Sequence, residues 1–174
     1  MQIRLTTLQD IDCLMPLFDE ARGTIAALGI DQWQDGYPSR LVIEDDVAHK
    51  RSYLVECDGR IAGTFVLVDD GEVTYDEIYG GEWLTGDSRG ADCVYVAIHR
   101  VAVAVARRGS GISTAILDYA ADHARALGRR SLRIDTHEGN VVMRRMLEKH
   151  DFTLCGGIRL PNGAPRVAYE RVLD

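Results

Sequence analysis

The stretch from Cys93 to His137 limits the folds open to this chain more than any other. An apolar run, CVYVAIHRVAVAVA, leads into RRGSGIS, then into an amphipathic helical pattern, and then into SLRIDTH, which reads as a strand. The backbone is therefore delivered by a strand into a glycine-rich turn at the N-terminus of a helix. A helix end of this kind presents unpaired N–H groups and a partial positive charge, which suits it to hold a diphosphate. Arg107 and Arg108 stand at its entrance.

Around this unit the rest of the chain falls into short, well-punctuated elements. Gln2–Thr6 alternates as a strand. Thr7 and Asp10 form a helix start signal ahead of Ile11, Leu14, Met15, Phe18, Ile25 and Leu28, which recur at helical spacing. A loop is expected over 29–39 and a second helix over 41–50. Ser52–Cys57 and Arg60–Val68 flank Asp58-Gly59, a hairpin signal. Val73–Tyr79 reads as a brief helix, GGEWLTGDSRG as an exposed loop, and Val94–Val105 as the long central strand. The helix over 111–127 groups Ile112, Ala115, Ile116, Tyr119, Ala120, His123 and Leu127 on one face, and Gly128 stops it. A strand at 132–136 precedes a helix over 140–150 with Val142, Met143, Met146 and Leu147 inward. Strands at 152–158 and 165–172, around Pro161-Asn162-Gly163, close the order β-αα-β-β-β-α-β-α-β-β.

A chain of 174 residues, 46% hydrophobic and 27% charged, with no linker or repeat, is expected to form one domain over 1–174. No apolar run approaches the roughly 20 residues of a membrane span, and the N-terminus lacks a signal-peptide core, so a cytoplasmic location is expected. Cys13, Cys57, Cys93 and Cys155 are scattered without ligand spacing, which reads as reduced, mostly buried thiols and no metal site. The net charge of −7 argues against a nucleic-acid partner. Its distribution is uneven. Between Arg100 and Arg133 there are seven arginines against Asp118 and Asp122, whereas Asp69–Ser88 carries seven acids and no base. The first segment favours an anion and the second a cation, the alternative in each case being a solvated face.

Other glycine-rich loops fit less well. A P-loop needs a Lys after its glycines, and none is present. A Rossmann fingerprint would accept Gly109, Gly111 and Asp135, but Thr114 occupies the third glycine position and only one β-α-β unit is evident. Arg108-Gly109-Ser110-Gly111-Ile112-Ser113 instead resembles the Arg/Gln-x-x-Gly-x-Gly/Ala pyrophosphate loop of the GNAT family of N-acetyltransferases, and the order of elements is similar to that family along the whole chain. The resemblance implies an α/β (α+β) fold with a mixed, twisted, mostly antiparallel sheet. Its middle strands splay apart to admit the pantetheine arm of acetyl-CoA, and about four helices flank it. It further implies that Gly109, Ser110, Gly111, Ile112 and Ser113 fan N–H groups onto the pyrophosphate, with Arg108 adding charge and Arg107 reaching the 3′-phosphate or water. Val101, Ala102 and Val103 would pair with pantetheine, an N–H near Val103 would stabilise the oxyanion, and Asn140 would contact the cofactor or cap its helix. QWQDGYPS, GTFVLVDDGEVTYDEIYGGEWL, IHRVAV and IDTHEGN are similar to a subgroup of small bacterial acetyltransferases of undefined acceptor.

Acetyl transfer to an amine requires that an ammonium with a pKa near ~10 lose a proton before attack. The family's usual Glu is replaced by Ala97, and His99 lies two residues further along the strand, on the same face by period-2 alternation. His99 is the first candidate base, Glu82 beside Trp83 the second, and His137 with Glu138 the third, each with a purely structural alternative. The tyrosine that the family offers as general acid corresponds to Leu147; Met143 replaces its alanine and Asp151 its glycine. Tyr79, Tyr119 or water would then serve the thiolate. Trp33, Tyr37, Tyr79 and Trp83 are packed lids or, facing the cleft, an apolar wall beside the acidic segment that favours a small cationic amine or amino-acid-like acceptor. A non-catalytic acyl-CoA sensor and a protein acetyltransferase are the rival readings, and a homodimer is left open.

Overall fold

The computed structural model describes residues 1–86 and 90–174; Asp87 and Ser88, the end of the expected acidic segment and exposed loop, lie outside the described residues together with Arg89. The elements are β1 (Gln2–Leu5), α1 (Ile11–Ala26), α2 (Arg40–Ala48), β2 (Ser52–Cys57), β3 (Arg60–Val68), β4 (Tyr95–Val103), α3 (Ile112–Ala126), β5 (Ser131–Thr136), α4 (Val141–Lys149), β6 (Thr153–Arg159) and β7 (Pro165–Val172). Their order is the one the sequence predicts. The seven strands form a mixed sheet ordered β1-β2-β3-β4-β5-β7-β6. β4 and β5 run parallel, whereas β1–β2, β2–β3, β5–β7 and β6–β7 are antiparallel. β4 keeps register with β5 only from Tyr95 to Ala97, against Ser131 to Arg133. Among the described residues, no helix is long and apolar enough to cross a membrane.

The chain divides into two compact units, Met1–Leu67 with Arg100–Ile116, and Val68–His99 with Leu117–Asp174. In the first, the Asp10 carboxylate accepts the Thr7 N–H and hydroxyl at 2.8 and 2.7 Å, which starts the chain into α1 as expected. Ile11, Leu14, Leu17, Phe18 and Ala21 of α1 then bury against Ile43, Leu54 and Ala102. Leu28, expected on that face, lies beyond the helix end and is exposed. Within β4, Arg100 has φ +52, a left-handed residue inside a strand. Its guanidinium sits 3.3 Å from Asp46 and over the Tyr37 ring at 5.5 Å, contacts that offset the backbone strain. The pleat is interrupted there, so the alternation that placed His99 and Val101 on one face does not extend past Arg100.

The second unit is organised by an ion pair with no access to solvent. Arg133 and Glu170 side chains are 1% and 0% exposed and 3.0 Å apart. The guanidinium lies between the Trp83 and Tyr95 rings, at 4.2 and 4.1 Å from their centroids. Glu170 also accepts the Ser131 hydroxyl at 2.6 Å and hydrogen bonds from Leu84 and Thr85. This draws Trp83 inside, 4% exposed, with its indole N–H on the Tyr75 carbonyl. The described part of the loop after Gly80 is otherwise exposed, as its composition suggests, with Trp83 as its buried anchor. Gly81 permits the approach, since a Cβ there would stand 1.9 Å from the Cys155 carbonyl oxygen.

Two local expectations change for identifiable reasons. Val73–Tyr79 is not one helix: Val73–Tyr75 forms a single 3-10 turn, after which Tyr79 exchanges backbone hydrogen bonds with Gly157 of β6. On α4, Val142 is 65% exposed, because it lies about 140° round the helix from the fully buried Leu147. Asp151 takes φ +63. There its N–H and that of Phe152 close α4 on the carbonyls of Glu148 and Leu147.

Removing one partner of the buried pair leaves a bare charge in an aromatic slot. Glu170→Ala is expected to lower the unfolding free energy by about 3–5 kcal/mol in urea melts. A loss below about 1 kcal/mol would mean that Arg133 finds another partner.

Candidate active site

Two groups of residues carry chemistry, one in each unit. The first is the turn between β4 and α3. A 3-10 turn at Val105–Arg107 ends the strand's approach, and the Ser110 hydroxyl donates to the Arg107 carbonyl at 2.6 Å. Gly109 and Gly111 hold φ +75 and +83, with no atom within 4 Å of where a Cβ would project. Ile112, the first residue of α3, is buried as the helix anchor, while Ser113 is half-buried behind it. The leading N–H groups of α3 have no acceptor within the helix, so the turn offers donors to an anion in open space.

Its arginines are mostly committed to the protein. Arg107 pairs with the exposed Asp58 of the β2–β3 hairpin at 2.9 Å, a contact weak enough to exchange for another anion. Arg108 is exposed and donates to the Thr24 hydroxyl at 2.8 Å. The local excess of positive charge read from the sequence is largely absorbed elsewhere. Arg100 faces Asp46, Arg125 pairs with Asp122, Arg133 is buried on Glu170, and Arg129 donates to the carbonyls of Asp69 and Cys93. Preceding the turn, Ala102 is buried, whereas Val101 and Val103 are half-buried.

The second group lies in the other unit. The His99 side chain is 17% exposed, and its Nε2 sits 3.1 Å from Glu72 Oε2, an ion-pair distance without hydrogen-bond alignment. Its Nδ1 makes no hydrogen bond to any described residue. Glu72 caps the 3-10 turn at Val73–Tyr75, accepting the Thr74 N–H and hydroxyl at 3.1 and 2.9 Å. Burial works to raise the Glu72 pKa, but contact with His99 and the Thr74 bonds outweigh it and hold the carboxyl at about 2. Tyr75 packs 5.8 Å from the His99 ring centroid and donates its hydroxyl to Asp135 at 2.8 Å. Burial first, then the charges of Asp135 and Glu72, push the Tyr75 phenol well above its ordinary value. Asp135 is raised by burial as well, against the opposing pull of His99 and the Tyr75 bond. Tyr95 accepts the Glu72 N–H at 2.9 Å and completes the cluster.

The remaining predicted residues are placed as follows. Glu82 is exposed, with no ion pair or hydrogen bond to any described residue. His137 accepts the Gly139 N–H on Nδ1 at 2.9 Å, and Glu138 is exposed beside it, so this pair shapes the turn into α4. Asn140 caps α4 by accepting the Met143 N–H at 3.2 Å. Leu147 is fully buried and itself offers no hydroxyl. Tyr79 donates its hydroxyl to the Ile158 carbonyl at 3.1 Å, and Tyr119 is half-buried on α3. Trp33 is half-buried and packs on Phe18 at 6.1 Å, whereas Trp83 is buried. Cys93 and Cys155 are buried, Cys13 is exposed and Cys57 partly so. Sequence reasoning missed Glu72, Tyr75 and Asp135 as partners of His99, since nothing in their spacing marks the contact. Among the described residues, no group of three or more His, Cys, Asp or Glu side chains could hold a metal ion.

The chain belongs to the GNAT acetyltransferase family, whose pattern it matches over residues 14–152. It is thereby an acyl-CoA-dependent N-acetyltransferase. It is similar to a GNAT-family acetyltransferase from Streptococcus agalactiae 2603, with 37% identity and a TM-score of 0.85 over 99% of this chain and 95% of that one. A GNAT-family acetyltransferase from Listeria monocytogenes 4b F2365 is 18% identical with a TM-score of 0.73, covering 99% and 94%. Ard1 from Thermoplasma volcanium is 14% identical with a TM-score of 0.66, covering 99% and 97%. The last two show likeness of fold alone. No curated protein matches the chain.

The turn at Gly109–Ser113 fits the family's co-substrate: two left-handed glycines and vacant space in front of a helix N-terminus are what a pyrophosphate requires. Gly111→Val, which fills that space, is expected to abolish the rise in melting temperature that acetyl-CoA gives the unsubstituted protein. Full protection of the variant would remove the turn as the phosphate site. The depressed pKa of Glu72 has its own consequence. Its ionised form stabilises the fold at neutral pH, and this contribution disappears as pH falls from about 5 towards 2. Urea melts should therefore show the advantage of the native protein over Glu72→Gln shrinking on acidification; a constant difference would contradict the pairing.

Proposed function

We propose that the protein acetylates a small primary amine by direct attack with both substrates bound, and that His99 is the base. The observation that supports this reading is the His99–Glu72 contact, 3.1 Å from Nε2, with no hydrogen bond from Nδ1 to any described residue. A carboxylate on one ring nitrogen favours the proton there and leaves the other as the acceptor, the division of labour that an imidazole base needs. Glu72 acts through His99 and is a positioning residue.

Bound acetyl-CoA supplies a thioester carbonyl to which the amine nitrogen bonds as the carbon–sulfur bond breaks. His99 first takes one proton from the ammonium, and a second proton, lost by the nitrogen on bonding, balances the departing thiolate through water. Water fills this role because Leu147 offers no hydroxyl and the Tyr75 proton is held on Asp135. Val101, Ala102 and Val103 supply backbone groups to pantetheine, while Arg108, Gly109, Ser110, Gly111, Ile112 and Ser113 hold the pyrophosphate. The acids described in the 69–86 stretch bias the acceptor towards a cation. Glu82, exposed on its loop, assists only in drawing the ammonium in.

Free thiol release from acetyl-CoA across a panel of amines tests the activity. His99→Ala is expected to reduce kcat at least ~100-fold, and Glu72→Gln roughly 10- to 100-fold, with acetyl-CoA binding retained. Near-normal turnover of His99→Ala at neutral pH would eliminate it as the base.

A further inference from the structure

A groove of about 390 Å³ opens in the second unit, lined by Val73, Thr74, Asp76, Glu77, Tyr79 and Arg159. Its volume suits a small metabolite rather than a polymer. The lining carries both signs of charge. Arg159 gives one hydrogen bond to the Gly163 carbonyl at 3.2 Å and lies over the Tyr79 ring at 5.3 Å, with no ion pair to any described residue. A guanidinium stacked on an aromatic ring keeps its planar fork of donors for a carboxylate. The ring beneath it is held in place. Tyr79 exchanges backbone hydrogen bonds with Gly157 at 2.9 and 2.8 Å, and a Cβ on Gly157 would stand 2.5 Å from the ring.

Thr74, one of the lining residues, connects the groove to the base: its hydroxyl donates at 2.9 Å to Glu72 Oε1, and the other oxygen of that carboxylate faces His99 at 3.1 Å. The groove's own acids, Asp76 and Glu77, attract an ammonium. A simple diamine would meet Arg159 as a like charge, and a simple anion would meet Asp76 and Glu77. A molecule bearing both groups meets an opposite charge at each end.

We infer that this groove holds the acceptor and that the acceptor is an amino acid, its carboxylate on Arg159 and its ammonium towards Asp76, Glu77 and the His99–Glu72 pair. This rests on the acetyl-transfer reading above and narrows its substrate class. The test sets amino acids against their decarboxylated counterparts (histidine and histamine, phenylalanine and phenethylamine, lysine and cadaverine), measured by thiol release from acetyl-CoA. At least one amino acid should exceed its counterpart about tenfold or more in kcat/KM. Arg159→Gln should erase that preference by raising KM tenfold or more at unchanged kcat, and Arg159→Lys should restore part of it. Counterparts used equally well or better, or a preference that survives Arg159→Gln, would overturn the inference while leaving the acetyl-transfer reading intact. If no amine releases thiol, the acetyl-transfer reading fails, and calorimetric titration of the same amino acids in the presence of CoA decides the groove. Binding lost in Arg159→Gln supports it; no binding, or binding indifferent to Arg159, overturns it.

Discussion

The buried contact between Arg133 and Glu170 is the constraint on which the second unit of this protein rests. Two charges removed from water are tolerable only when every donor and acceptor is engaged, and here Thr85, Ser131 and the Leu84 N–H complete the set. The guanidinium between Trp83 and Tyr95 converts that requirement into shape. Trp83 holds the Tyr75 carbonyl, Tyr75 backs the His99 ring, and Tyr95 steadies Glu72. Hydrogen bonds that satisfy one ion pair thus determine where the next, His99 with Glu72, can form.

The excursion between β3 and β4 is closed at its neck by a different arginine. Arg129 reaches the carbonyls of Asp69 and Cys93 from the end of α3, so the segment carrying Glu72, Thr74, Tyr75 and Tyr79 leaves and returns at a fixed place. Segments rich in acids are usually solvated, but this one is organised by its few non-acidic residues. The aromatic rings supply packing, and the acids are distributed between the interior, as with Glu72, and the surface, as with Glu77 and Glu82.

What was legible in the sequence is what local chemistry dictates. Asp58-Gly59 specified its hairpin because Asp58 and Gly59 take the left-handed conformations a tight turn needs. Thr7 and Asp10 started α1 through contacts three residues apart. The β4–α3 turn was readable because left-handed glycines, an exposed arginine and a helix start are adjacent in the chain. Val142 was misplaced because exposure depends on what the rest of the fold offers. For Trp83 the choice between packed lid and open wall needed the buried guanidinium that lies on its face. The arginines after β4 were equally misleading, since a charge count cannot show that most of them already face carboxylates or carbonyls.

By itself the sequence determined the family, the order of elements and the glycine turn at the start of α3, all of which depend on residues close together along the chain. Only the tertiary structure decided which residues surround His99 and where the groove lies. His99 meets Glu72 across 27 positions of chain, Tyr75 meets Asp135 across 60, and Arg159 meets Tyr79 across 80. Such pairings leave no periodicity or motif, because they are produced by strand order and packing.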